Sequence, residues 1–335
     1  MAWLSGWLYR RAVTITEQSG GTLTDYQVRI ELNSSNFDFS KANADGSDIR
    51  FTADDGETLL PYWIEKWDSS NEEAVIWVKV PSILANSDVT IYIYYGNPSA
   101  VSESDGDSVF EFFDDFEGTS LDTSKWTGDI DKVEVLDGIL HGLTSSSWNV
   151  IIHTEEGSVL NKVVESRAKV TSVRTKPVGP TDGTRGAFFS HEADGDDRYQ
   201  VWDGSNWYWT TNDNAINENV WDVYTIIVFG DGSCKYINSL GEALSTDFTS
   251  VKLQNTGTVE VWLVPGASYF DWVRVRKYAE QEPTVTVGSE EMPPVKYWDG
   301  SAWKDIKAIY YWDGSSWVKA KGVYYWNGSQ WVKIF

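Results

Sequence analysis

The chain reads as an all-β protein: two β-sandwich or jelly-roll domains followed by a C-terminal stack of short β-hairpin repeats. Three observations predict this. Apolar and polar residues alternate over short runs, as in Tyr26-Gln27-Val28-Arg29-Ile30-Glu31-Leu32, which is the two-residue period of a half-buried strand. Aromatics make up 15% of the 335 residues, with 19 Trp against two Met, a composition that suits rigid sheets. Finally, the C-terminus repeats one pattern three times, Trp-Asp-Gly-Ser-x-Trp or its Trp-Asn-Gly-Ser-x-Trp variant, with first tryptophans at 298, 312 and 326 and a period of 14 residues.

The first segment runs from Ala12-Val13-Thr14-Ile15-Thr16 through Ala74-Val75-Ile76-Trp77-Val78-Lys79-Val80 to Thr90-Ile91-Tyr92-Ile93-Tyr94-Tyr95. Each run is a strand by its alternation, and Gly96-Asn97-Pro98 closes the last with a turn. No amphipathic helix pattern interrupts them. Seven motifs occur in order: Trp7-Leu8-Tyr9-Arg10-Arg11, Asp25 to Ile30, Phe37 to Asn43, Gly46 to Phe51, Leu60 to Glu65, Ile76 to Pro81, and Tyr94-Tyr95-Gly96-Asn97-Pro98. Together these resemble the DUF2341 family of β-rich domains over residues 3–113. The resemblance implies a sandwich and a surface context, in prokaryotic surface proteins or viruses, without implying an activity.

The second segment opens at Phe112-Phe113-Asp114-Asp115-Phe116-Glu117-Gly118 and closes at Phe270-Asp271-Trp272-Val273-Arg274-Val275-Arg276. With Leu136 to Leu140, Val163 to Val170 and Trp221 to Val228 between them, it resembles the concanavalin-like jelly roll of lectins, laminin-G-type modules and family 16 glycoside hydrolases. The expected division is a DUF2341-like domain at 1–109, a jelly roll at 110–288, a linker at 289–294 and the repeats at 295–335. The linker is read from Gly288-Ser289-Glu290-Glu291-Met292-Pro293-Pro294, since paired prolines cannot join a central sheet.

Charge and composition exclude several functions. Fifty acidic against 27 basic residues give a net charge of −23, which repels nucleic-acid phosphates and anionic membranes. No run of residues is long and apolar enough to span a bilayer. Cys234 is alone, so no intramolecular disulfide is expected. No basic leader with an apolar run precedes the first strand, which fits a virion component assembled in the cytoplasm; an adhesin whose export signal is missing from this sequence is the alternative.

Enzymatic chemistry is not expected. Glycoside hydrolysis needs two carboxylates across the scissile bond, and the Glu-x-Asp-x-x-Glu strand of the family 16 enzymes has no counterpart between 110 and 288. Only an atypical carboxylate pair would support a hydrolase. The acidic runs Glu155-Glu156 and Glu192 to Asp197 have loop character or the wrong spacing, and His141, His153 and His191 show no metal-ligand spacing. Structural calcium is a candidate cofactor, because the jelly-roll resemblance implies a site joining first and last strands, here at Asp115 and Asp271. The other reading of both residues is as turn caps.

For ligand binding, Tyr199 to Trp209 echoes the terminal repeat as Trp202-Asp203-Gly204-Ser205-Asn206-Trp207. Flat indole faces stack on pyranose C–H groups while Asp, Asn and Arg reach hydroxyls, so Arg198, Trp202, Asp203, Trp207 and Trp209 are candidate ligand-binding residues. A hairpin with tryptophans alternating between core and surface is the competing reading. Trp298, Trp303, Trp312, Trp317, Trp326 and Trp331 are candidates for an assembly contact or tip, since isolated hairpins are marginal and exposed Trp rows invite association. These repeats are similar to tandem units at the ends of phage tail and fibre proteins. The resulting expectation is a non-enzymatic, homo-oligomeric virion surface protein that contacts other virion proteins and binds host glycans. A prokaryotic cell-surface adhesin and a purely architectural decoration protein are the alternatives.

Overall fold

The computed structural model describes residues 2–144, 146–148, 150–156, 158, 160–254, 258–293, 296–298, 301, 303–306, 308–326 and 331–333. At 152–156, 258–261, 296–298, 303, 305, 325, 326 and 331–333 the description is of the backbone alone. The chain is almost entirely β and divides into two compact units, Met1–Asp105 with Glu282–Phe335, and Gly106–Gln281.

In the first unit a five-stranded antiparallel sheet orders Thr284–Glu291, Tyr9–Thr16, Asp88–Tyr95, Arg50–Thr52 and Leu59–Leu60. A three-stranded sheet orders Leu23–Asn33, Glu73–Ile83 and Tyr62–Asp68. The alternation that predicted these strands sorts their side chains: Val13, Ile15, Ile91 and Ile93 are buried from the first sheet, and Val28, Ile30, Ile76 and Val78 from the second.

The strand Thr284–Glu291 corrects the expected boundary at 288 and the expected linker at 289–294. It pairs with Tyr9–Thr16, placing Ile15 opposite Val285 and Arg10 opposite Glu291. Arg10 Nε donates to Glu291 at 2.8 Å, and Lys41 Nζ donates to Glu290 at 2.6 Å. The prolines that signalled a spacer, Pro293 and Pro294, come after the strand's last residue, Glu291. The second unit is thus an insertion within the chain of the first.

The second unit is a two-sheet antiparallel sandwich. One sheet orders Val133–Leu136, Ile139–Gly142, Tyr269–Lys277, Lys162–Lys169, Trp221–Val228, Cys234–Asn238 and Gly241–Leu244, with Phe112–Asp114 also paired to Tyr269–Lys277. The other orders Trp207–Thr211, Asp197–Trp202, Gly186–His191, Pro180–Thr181, Thr258–Leu263, Ile151–Glu156 and Thr127–Gly128. One core joins them: Val164, Tyr224, Tyr236 and Phe270 from the first meet Ile151, Phe189, Tyr199 and Leu263 from the second. Cys234 lies in this core, and burial pushes its thiol up. The opening and closing motifs are adjacent, with Asp114 opposite Val273.

Among the described residues the terminal repeats form three two-stranded sheets. In each, the two tryptophans face one another in register: Trp298 with Trp303, Trp312 with Trp317, and Trp326 with Trp331.

Candidate functional site

The internal echo of the repeat forms the edge of the seven-stranded sheet. Asp197–Trp202 and Trp207–Thr211 pair with Trp202 opposite Trp207, Gln200 opposite Trp209 and Arg198 opposite Thr211. The turn follows from its residues: Asp203 accepts the backbone N–H groups of Ser205 and Asn206 at 2.7 and 2.6 Å, and Gly204 takes φ +93° without steric penalty. Strand alternation sends Tyr199 and Val201 inward and leaves Arg198, Gln200 and Trp202 on the outer face.

On that outer face lies a cleft of about 410 Å³. Trp148, Trp207, Trp209 and Trp262 supply its aromatic walls, and Lys176, Glu192, Arg198 and Gln200 its polar groups. Below them Phe188, 1% exposed, packs its ring 5.6 Å from Trp207 and 5.9 Å from Trp262. A Cβ on Gly186 would come within 2.5 Å of this ring, so the glycine permits the close approach.

Lys176 occupies the centre with its side chain 8% exposed. Its ammonium lies 4.8 Å from the Trp148 ring and 4.7 Å from Trp207, and donates to Gln200 Oε1 at 2.5 Å and Ser190 Oγ at 3.0 Å. Glu192 is 3.4 Å away. Burial pulls the Lys176 amine down to about 8, with Glu192 opposing the shift. All three ammonium protons therefore have partners inside the protein, and the lysine fixes the floor rather than presenting a free charge.

Glu192 accepts from Ser190 Oγ and from Gln200 Nε2 as well. Arg198 stacks 5.3 Å from the Trp209 ring centroid, and its Nη2 donates to Asp194 and Asp196 at 2.5 and 3.0 Å. Its Nη1 is 3.9 Å from Glu192 Oε2. Among the described residues the buried Arg198 Nε has no hydrogen-bond partner. A buried donor without a partner is costly.

Of the residues expected to bind a ligand, Arg198, Trp207 and Trp209 line this cleft. Trp202 packs its ring 5.1 Å from Trp207 outside the lining. Asp203 does not join them: its carboxylate caps its own turn, because Asx capping is satisfied two and three residues on. Lys176, Glu192, Trp148 and Trp262 complete the cleft from four other places in the chain. Glu192 stood out in the sequence only as the start of an acidic run, and Trp262 carried the alternation of Val259-Glu260-Val261-Trp262.

Of the expected calcium pair, Asp271 forms an ion pair with the Arg167 guanidinium. Asp115 accepts from the backbone N–H of Glu117 at 3.4 Å, and burial pushes its carboxyl up. Among the described residues, the set that brings three metal-capable side chains together is His191, Asp197 and Glu218, with ligand atoms within 4.8 Å of one another. His191 Nδ1 lies 2.6 Å from Asp197 Oδ1, and this hydrogen bond raises the imidazole above its ordinary range. The contact links two strands and a loop, so spacing in the sequence could not reveal it.

Trp312 and Trp317 are 54% and 69% exposed, with ring centroids 5.8 Å apart. The side chains of Trp298, Trp303, Trp326 and Trp331 lie outside the described residues.

The DUF2341 domain of unknown function matches residues 45–129. That span starts within the first unit and takes in the opening strand of the second, where the motifs had indicated 3–113. An uncharacterized protein of Methanocaldococcus jannaschii is 35% identical over 108 residues, which is 29% of this chain, and the chain spans only 20% of that relative's length. Among solved structures, β-agarase B of Zobellia galactanivorans superposes with a TM-score of 0.35 at 11% identity, covering 52% of this chain and 92% of that one. The laminarinase of Rhodothermus marinus gives 0.36 at 13%, covering 51% and 98%. The endo-1,3-β-glucanase catalytic domain of Thermotoga petrophila gives 0.33 at 11%, covering 50% and 97%.

Proposed function

We propose that the second unit binds a neutral saccharide chain in the aromatic cleft and does not cleave it. The observation that carries this reading is the set of indole walls, Trp148, Trp207, Trp209 and Trp262, around Arg198 and Glu192, whose Nη1 and Oε2 lie 3.9 Å apart. A sugar hydroxyl both donates and accepts, so it can bridge the guanidinium edge and the carboxylate while its ring stacks on Trp207 or Trp209. The two cations of the cleft are already matched: Lys176 by Glu192 and Arg198 by Asp194 and Asp196. With a net charge of −23, the chain favours neutral over anionic sugars.

The carboxylates support binding without hydrolysis. Glycoside hydrolysis uses two of them across the bond, and Glu192 is the only one among the described cleft residues. It is also held by Lys176, Ser190 and Gln200. Titration calorimetry against a panel of neutral oligosaccharides tests the reading, with reducing ends assayed in the same samples. Saturable binding that Trp207→Ala and Trp209→Ala each weaken by about tenfold or more is expected; new reducing ends would overturn the non-hydrolytic part. We infer a virion surface as the setting from the resemblance of the terminal repeats to those of phage tails and fibres. Detection of the chain in purified particles tests that setting.

A further inference from the structure

We propose that the terminal hairpins are a docking arm that binds the acidic surface of a second copy of this chain. Residues 295–335 carry six lysines and three aspartates, a net charge of +3. Residues 1–294 are left with 21 basic and 47 acidic residues, −26. The arm and the rest of the chain thus have complementary charge, and one copy supplies what the arm of another requires.

The geometry of the second hairpin gives the arm its adhesive face. Tyr310 pairs with Lys319 and Trp312 with Trp317, so alternation places these four on one face. All four are exposed, with Tyr310 at 54% and Trp317 at 69%. Among the described residues the strands of each hairpin pair only with each other, and two-stranded ribbons are marginal in water alone. Aromatic rings flanked by a lysine, on an element that needs cover, match a partner that is both acidic and partly apolar. Among the described residues of the remainder, Leu59, Leu84, Val101 and Val220 are exposed apolar side chains of that kind. Three hairpins at a 14-residue period supply three linked contacts, so weak individual docking sums to stable association.

The experiment is sedimentation velocity on the full chain at low and high salt, alongside Lys319→Glu/Lys321→Glu and Trp312→Ala/Trp317→Ala. Both pairs are exposed, so circular dichroism serves only to check that the fold is kept. Self-association that weakens with salt, and that either double variant reduces at least tenfold, is the expected result. A monomer at low salt overturns the proposal. A monomer that is retained on a polyanionic polysaccharide resin overturns it in favour of an anionic polymer as occupant. Association that both variants leave unchanged also overturns it.

Discussion

The same hairpin occurs in two settings in this molecule, and the contrast separates local chemistry from context. In Trp202 to Trp207 and in Trp312 to Trp317 an aspartate caps two backbone N–H groups, a glycine takes a φ near +100°, and two tryptophans face each other across the strands. Only the embedded copy has a sheet beside it and Phe188 and Lys176 beneath Trp207. The motif therefore specifies a hairpin, and its surroundings decide whether the tryptophans become a cleft wall or a bare platform.

The largest expected break in this contrast comes from the floor. Phe188→Ala should lower unfolding free energy by about 3–5 kcal/mol in denaturant titration, because a fully buried ring is lost beneath the hairpin. Gly186→Ala should cost about 1–3 kcal/mol, since its Cβ would press on the same ring. A wild-type midpoint for either would mean that the floor does not support the site.

Binding comes next. Trp207→Ala should weaken oligosaccharide affinity by about tenfold or more by calorimetry, roughly 1.4 kcal/mol or above. Undiminished affinity would remove Trp207 from the proposed wall.

A pH series sharpens the role of Lys176. Its amine ionises at about 8 when folded against an ordinary 10.5, so the folded chain releases this proton first. Between these values the unfolded chain binds more protons, and the lysine's contribution to stability rises with pH; below about 8 the penalty of burying the charge is fully present. Affinity runs the other way: a neutral amine holds Glu192 less firmly, so binding should weaken as pH passes about 8. Calorimetry on both sides of that value, with Lys176→Met as the flat control, checks this. The smallest effect is expected at the exposed copy, where Trp312→Ala should leave the melting of the two sandwiches within about 0.5 kcal/mol of wild type.

How far the site could be read in advance depended on the range of the contacts. Arg198, Trp207 and Trp209 were legible because one hairpin presents them together, and the turn fixes their register. Lys176, Glu192, Trp148 and Trp262 were not, because each reaches the cleft from a different segment. The strand Thr284–Glu291 was missed for the same reason: its partner, Tyr9–Thr16, lies more than 260 residues earlier, and Pro293 and Pro294 drew attention to a spacer. The ion pair between Arg167 and Asp271 is a contact that spacing does not encode.

By itself the sequence determined the strands, their turns and the identical build of the repeated hairpins. Alternation and Asp-Gly or Asn-Gly chemistry act over two to four residues and need no distant partner. Tertiary structure alone decided that the chain returns to its first sheet after a long insertion, and that one hairpin overlies a caged lysine while another stands exposed. Strand pairing and desolvation join residues far apart in the chain, and only the folded structure brings them into contact.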